Sequence, residues 1–317
     1  MNIRVRSGVT LIDALAGAAL LVVLVAFVIP VSFRLHAAGL TEQDAAQQRM
    51  IHAALVRDSN GNRGGQLLTP GLVNRLATGG AQVPGEGAED YAQNRTQNLY
   101  SAGIARGLFR PQDLIGPTEV NPVVTVYAAY NYNAYRPDAD IYWDSGFSAK
   151  LNVTGGTSTL LCNTSYAHLL MCGLRKEVYW RGTADATRPL ISTRGCKNGV
   201  NTGDEYARSP TLRLHCAADS WEGNVCFGDN HVELVATFRP DTVTYACGTY
   251  NGGGITTDNL FACGGTVPSE FSGGGCVDVN SSNAPQPWAG GDTILGIHPN
   301  AATKWIAIPA WDILLPP

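Results

Sequence analysis

Few residues in this chain are equipped for chemistry, and they are spread along its length. Asp13 is a lone carboxylate at the edge of a 20-residue run, 14–33, that carries no charge and one hydroxyl, Ser32. A charge beside a bilayer-length apolar segment is costly, so it marks a function and calls for a partner. Asp229, His231 and Glu233 stand at i, i+2 and i+4. On a straight strand they share one face, the arrangement of a metal site and equally of the wet side of a strand. Asp138, Asp140 and Asp144 are spaced loosely like a calcium loop but lack its glycine and closing glutamate. Calcium is therefore the one ion the sequence suggests, and an exposed acidic turn is the competing reading. Eight cysteines fall between Cys162 and Cys276. No G-x-S-x-G, H-E-x-x-H or P-loop is present, and the six histidines are scattered, so the chain reads as a non-enzyme.

The elements that must position these groups begin with the apolar run. At about 1.5 Å per residue, 14–33 is roughly 30 Å of helix, the thickness of a bilayer core. Arg4 and Arg6 on its N-terminal side place that end in the cytoplasm, with everything after Arg34 outside. Pro30 lies inside the run, where it removes a helix hydrogen bond. Residues 35–58 are rich in Ala, Gln and Leu and contain no proline, which continues the helix. Leu40, Asp44, Gln47 and Ile51 share one side, followed weakly by Ala54 and Leu55. Asn60-Gly61 stops the helix. His36 and His52 lie on this segment and read as solvated or interfacial.

The rest of the chain is turn-rich. Of 317 residues, 36 are glycine and 15% are charged, against about a quarter in ordinary domains. The formal charge of −4 argues against a nucleic-acid partner. Residues 60–122 read as a loop-rich connection with short helices near Pro70 and within 91–109, surface structure without chemistry. From 123 to 317 short β-branched and aromatic runs recur every 8–14 residues or so, cut by Gly, Asn, Asp and Pro, an antiparallel β head. Within it 211–216, 224–227 and 231–236 are expected to form a three-stranded meander with Asp229-Asn230 at the tight turn. That register sets Cys216 across from Cys226 and predicts a disulfide. Cys162 and Cys172, with the same separation, form a second expected pair, and Cys247 with Cys263 a third. An even cysteine count in an exported head supports such a framework. The six tryptophans are expected mostly in the core or at subunit contacts, with a sugar-binding face as the alternative.

The N-terminal residues closely resemble those of type IV pilins and type II secretion pseudopilins. In that family a basic leader ends in Gly and is cut by a membrane prepilin peptidase. An apolar residue, Thr, Leu, Ile and an acid then follow. Here the match is Gly8, Val9, Thr10, Leu11, Ile12 and Asp13, with Pro30 at the family's recurrent proline position. Val9 stands where Phe is usual and Asp13 where Glu is usual. A secretory signal peptide has a shorter core followed by a small-x-small site. A plain signal anchor accounts for the length and not for the Gly8–Asp13–Pro30 spacing. A second, narrower resemblance is to pilin-like proteins described as processing-associated, whose signature is a His followed by Asp-Gly. His215 and Asp229-Asn230 carry it here, at a longer spacing and with Asn for Gly.

These resemblances imply an α+β pilin-like fold, a long N-terminal transmembrane helix packed on a disulfide-stapled β head. The divisions are a leader (1–8), the transmembrane half of the helix (9–33), its extramembrane half (34–59), the connection (60–122) and the head (123–317). Gly8 and Val9 would form the processing site. Asp13 and Pro30 would serve assembly, Asp13 by neutralising the Val9 amine of a neighbouring subunit. Implied partners are the prepilin peptidase, other pilin or pseudopilin subunits and the bacterial inner membrane, with the head periplasmic or extracellular. The product would be a pilus or a secretion pseudopilus. The rival reading is a membrane-anchored surface module that binds glycan or protein and does not polymerise. No cofactor is expected beyond the calcium already named.

Overall fold

A computed structural model describes residues 11–61, 63–75, 87–151, 160–215, 220–246, 255–262, 276–277 and 292–312. One element dominates it: α1, Leu11–Ser59, 49 residues of continuous helix that runs on through Pro30. It is long and apolar enough to cross a membrane, with a mean hydropathy of 2.7 in its apolar window and none of that window buried. The expected end near Asp58 is where the helix stops, and Gly61 N–H closes on the Asp58 carbonyl. The remaining helices are short: α2 (Pro70–Val73), α3 (Thr96–Ala105), α4 (Gly173–Tyr179) and α5 (Gly203–Ala207).

The strands are β1 (Ala149–Lys150), β2 (Leu161–Cys162), β3 (Tyr166–Leu169), β4 (Pro189–Thr193), β5 (Gly223–Phe227), β6 (Val232–Val235), β7 (Thr244–Ala246), β8 (Ile255–Thr257), β9 (Cys276–Val277), β10 (Leu295–Gly296) and β11 (Ile306–Ala307). Five of them make one antiparallel sheet in the order β10-β3-β4-β5-β6. β1–β2, β7–β8 and β9–β11 are separate antiparallel pairs. The fold is thus α+β, a long apolar N-terminal helix with an antiparallel sheet. The second half of α1 lies against β4, β5 and β6. All residues of β3, β4 and β5 are buried, so these central strands are covered on both sides.

Several expectations fail for identifiable reasons. The meander keeps its last two strands, β5 and β6, but 211–216 is not the first. Pro210–Arg213 is a 3-10 turn, because Pro210 opens a turn and Ser209 Oγ engages Thr211. β4 takes the place beside β5. The stretch 123–143, expected as strand, is irregular, with 3-10 turns at Tyr132–Ala134 and Pro137–Ala139. There Asn131 caps its own turn and Pro137 opens the next, and the tyrosines are tied by their hydroxyls to other segments. The 177–180 run is helical, in α4. The connection is not surface structure. Leu67, Leu68, Leu99, Tyr100 and Ile104 belong to the main core, since α3 is sandwiched among the head's elements.

The head carries no disulfide among the described residues. Cys162, Cys196 and Cys226 are buried thiols, and so is Cys172. Cys162 sits in a cluster with Val124, Ala149, Leu151 and Ile297, whereas Cys172 packs with Leu170, Ile294, Ala302 and Ala307. β2 pairs with β1 rather than folding back on β3, which separates the two sulfurs. Cys216 lies outside the described residues, as do Cys247 and Cys263. Cys226 points its Sγ toward the Phe227 carbonyl and Asn230, so the expected Cys216–Cys226 bond is absent.

Candidate functional site at the helix–head junction

The polar groups that converge most densely are those fastening α1 to the sheet. Asp44, Ala45, Gln48, Ile51, His52, Ala54, Leu55 and Ser59 are buried on one side of α1. Spacings of three and four residues put them on one stripe. The expected stripe of Leu40, Asp44, Gln47 and Ile51 is close to it. The observed seam is rotated toward Gln48 and His52, leaving Leu40 and Gln47 half-buried.

Asp44 is the centre. Its Oδ2 accepts from Asn224 Nδ2 at 2.8 Å and from Gln48 Nε2 at 3.1 Å. Its Oδ1 accepts from the Tyr166 hydroxyl at 3.0 Å. Asn224 Nδ2 also donates to the Thr41 carbonyl at 2.9 Å, so β5 grips the helix backbone as well as its carboxylate. Thr193 Oγ1, at the end of β4, lies 3.1 Å from His215 Nε2 and accepts from Asn224 N at 3.1 Å. His215 Nδ1 lies 3.2 Å from Thr41 Oγ1. A neutral His215 with Nε2–H donating to Thr193 and Nδ1 accepting from Thr41 satisfies both ring nitrogens.

Burial raises Asp44 above the ordinary carboxylate range, opposed by Asn224, His215, Tyr166 and Gln48. Burial lowers His215, opposed by the Asp44 charge. The two lie 3.8 Å apart at their closest. Three turns further along α1, His52 Nδ1 donates to Asn230 Oδ1 at 3.0 Å, and burial lowers this histidine too. Asn230 occupies the left-handed region at φ 73, where Asn is tolerated, and its N–H closes the β5–β6 turn on Phe227. Gly228 beside it has no room for a Cβ, which would fall 2.9 Å from the Asp185 and Thr183 carbonyls.

The two signature residues of the sequence therefore meet the same helix at two heights, His215 at Thr41 and Asn230 at His52. Asp229 does not. It accepts from His231 N at 3.0 Å in a tight turn and from the His231 ring, which stacks on Phe227 at 4.3 Å. That pairing and the turn bend the chain out of the straight strand that a shared metal-ligating face with Glu233 requires. Val232–Val235 begins after His231, and Glu233 is exposed opposite Val225. Among the described residues no group of three His, Cys, Asp or Glu side chains is placed to hold a metal. The calcium-like acids are likewise dispersed. Asp144 accepts from Tyr127, Asn131 N and Gly146 N, while Asp140 closes a turn at φ 57.

Sequence reading missed a second fastening beside the first. Arg194, adjacent to Thr193, is buried between Glu119 and Asp312, with Nη1 2.7 Å from Glu119 and Nε 2.9 Å from Asp312. Ser165 Oγ donates to Glu119 at 2.6 Å, and Asn121 Nδ2 to Asp312 at 2.5 Å. Burial alone would raise Glu119; the Arg194 charge more than offsets it and holds the acid low. This cluster ties the connection, β4 and the C-terminal segment together. Pairs about 75 and 118 residues apart leave no local signal by which a sequence reading could find them.

Of the remaining expected site residues, Gly8 and Val9 lie outside the described residues. Asp13 and Pro30 are on α1, their backbones helical. His36 is exposed. Trp143, Trp180 and Trp221 are buried in the core, and Trp305 and Trp311 are half-buried. Cys162 and Cys226 have thiols pushed up to about 12 by burial, which makes them inert packing groups. No family model, curated protein or solved structure matches this chain.

Proposed function

We propose that the chain is a structural pilin-like subunit, cut by a prepilin peptidase between Gly8 and Val9 and assembled through α1 into a pilus or secretion pseudopilus. The observation that carries this reading is the division within α1. Leu15, Leu20, Leu21, Val22, Val23, Leu24, Phe27 and Ile29 are all exposed, while the same helix from Asp44 onward is buried against the head. An apolar surface of that size on a soluble domain requires a partner or a lipid phase. The family-like spacing of Gly8, Asp13 and Pro30 selects the kind of partner, a bundle of equivalent helices. The helix is first held in the bacterial inner membrane, N-terminus in the cytoplasm, with the head periplasmic or extracellular. Asp13 neutralises the Val9 amine of the next subunit as the helices enter the bundle. The chain is a building element and performs no catalysis.

Imaging of sheared surface material with the head labelled tests the reading. Label distributed along filaments or at their tips is the expected result. Label confined to dispersed single membrane proteins, in cells that assemble filaments, would reject polymerisation.

A further inference from the structure

A cleft of about 630 Å³ opens between the start of α3 and the 140–150 segment, away from the helix–head seam. Its volume is in the range of small-molecule sites. Gln97, Asp140 and Tyr142 line it, and each carries a buried oxygen without a hydrogen-bond partner: Gln97 Oε1, Asp140 Oδ1 and the Tyr142 hydroxyl. A buried polar atom left unpaired costs about 1–3 kcal/mol, and native structures hold few of them. Three on the wall of one cavity indicate groups that pair with something that enters it. Two of the three are pure acceptors, so the entering molecule must be rich in donors. The amide of Gln97 is fixed, since its Nε2 donates to the Pro299 carbonyl at 2.7 Å, which leaves Oε1 directed by that bond. Asp140 is fixed as well. The Arg136–Ile141 bridge closes a tight loop around it, with N–H to O=C distances of 2.8 and 3.0 Å in the two directions.

The lining also supplies aromatic surface and charge. Tyr142 and Trp143 present adjacent rings, their centroids 6.4 Å apart. Lys150 is exposed with no ion pair, and Arg95 spends only its Nε, on the Ala92 carbonyl. Two cations therefore face one carboxylate. Hydroxyl donors for the orphan oxygens, a C–H face for the rings and an anion for the unpaired cations together describe one chemistry. We propose that this cleft binds a saccharide unit that carries a carboxylate, a uronic-acid type of sugar. The site is independent of assembly through α1, and a filament subunit would present it on the head.

The test is titration of the full chain in detergent with trigalacturonate, followed by tryptophan fluorescence and calorimetry. Maltotriose and hexa-aspartate serve as the neutral and non-sugar probes. Trigalacturonate should bind with Kd of about 1 mM or tighter, and maltotriose about tenfold more weakly or worse. Asp140→Asn and Lys150→Ala should each weaken binding about tenfold without moving the melting temperature, and Glu205→Gln, on distant exposed α5, should change nothing. Lys150 is exposed, so loss of folding cannot imitate its effect. Equal binding of maltotriose would overturn the carboxylate requirement. Equal binding of hexa-aspartate would overturn the sugar. Absence of trigalacturonate binding at about 10 mM, or binding unaffected by both variants, would overturn the site.

Discussion

The two halves of α1 are one helix in geometry and two surfaces in chemistry. From Leu15 to Val31 the residues are apolar all round and meet nothing in the chain. From Asp44 to Ser59 only one stripe is buried, and its most buried members include polar groups, Asp44, Gln48 and His52. The first half carries no side-chain hydrogen bond to the head among its described residues, while the second is fixed by Asn224, Tyr166, Thr193, His215 and Asn230. Polar partners impose register in a way that apolar contact does not, because a slip of one residue leaves each of them unpaired. The contrast separates two jobs: the docked half fixes the angle at which the head is carried, and the apolar half is left free to be fixed by other copies or by lipid.

The largest expected effect falls on the undocked half. Asp13→Ala should leave the head's melting temperature unchanged and abolish assembly, since it strands the Val9 amine at a cost of ~3–5 kcal/mol per contact. Filament yield and a thermal melt in detergent, measured on the same variant, separate the two halves cleanly. Wild-type filament yield would refute the pairing. The converse experiment is Asp44→Ala. It strands donors on Asn224, Tyr166 and Gln48 and should cost ~3 kcal/mol or more, lowering the melting temperature by roughly 6–12 °C. An unchanged melt would mean that the seam does not hold the head.

Acid should loosen the docked half selectively. His168 has its pKa lowered to about 4 by burial, and burial lowers His215 and His52 as well. The unfolded chain titrates histidine near 6.5, so between pH 6.5 and about 4 it binds protons that the folded state refuses. The stability these residues permit is whole above about pH 6.5 and is lost as pH falls, by roughly 2 kcal/mol from His168 alone at pH 5. Asp44, raised in the folded state, opposes this once pH falls through its own range. Hydrogen exchange at pH 7 and pH 5 should show protection falling across 41–59 and holding across 15–33. Equal loss in both halves would remove the distinction between them.

The smallest effect concerns the thiols. Cys226→Ala should cost about 1 kcal/mol, the value of a small buried group, and not the 2–3 kcal/mol or so of a short disulfide loop. Alkylation of Cys162 and Cys226 only after unfolding, with no reductant added, is the matching readout.

What the sequence made legible follows the range of the forces involved. Composition and the lack of proline after residue 30 were enough for α1, and the Gly228–Asn230 turn with its flanking β-branched residues was enough for the β5–β6 hairpin. Burial of Asp44, Gln48 and His52 was not legible, because on paper they look like the solvated face of a helix. The cysteines misled for a related reason. Equal separations of ten residues suggest two matched loops, but the partner of each strand is chosen by residues far away, β1 for Cys162 and β4 for Cys226. The same holds for Arg194, whose two acids arrive from opposite ends of the chain.

The claim that α1's apolar half belongs to a processed, assembling subunit is most directly tested by intact-mass spectrometry of the protein from the membrane fraction. The account predicts a chain that begins at Val9 with one methyl group on its α-amine, and no cutting in Gly8→Leu. An intact start at Met1, or a start beyond residue 33, would contradict it.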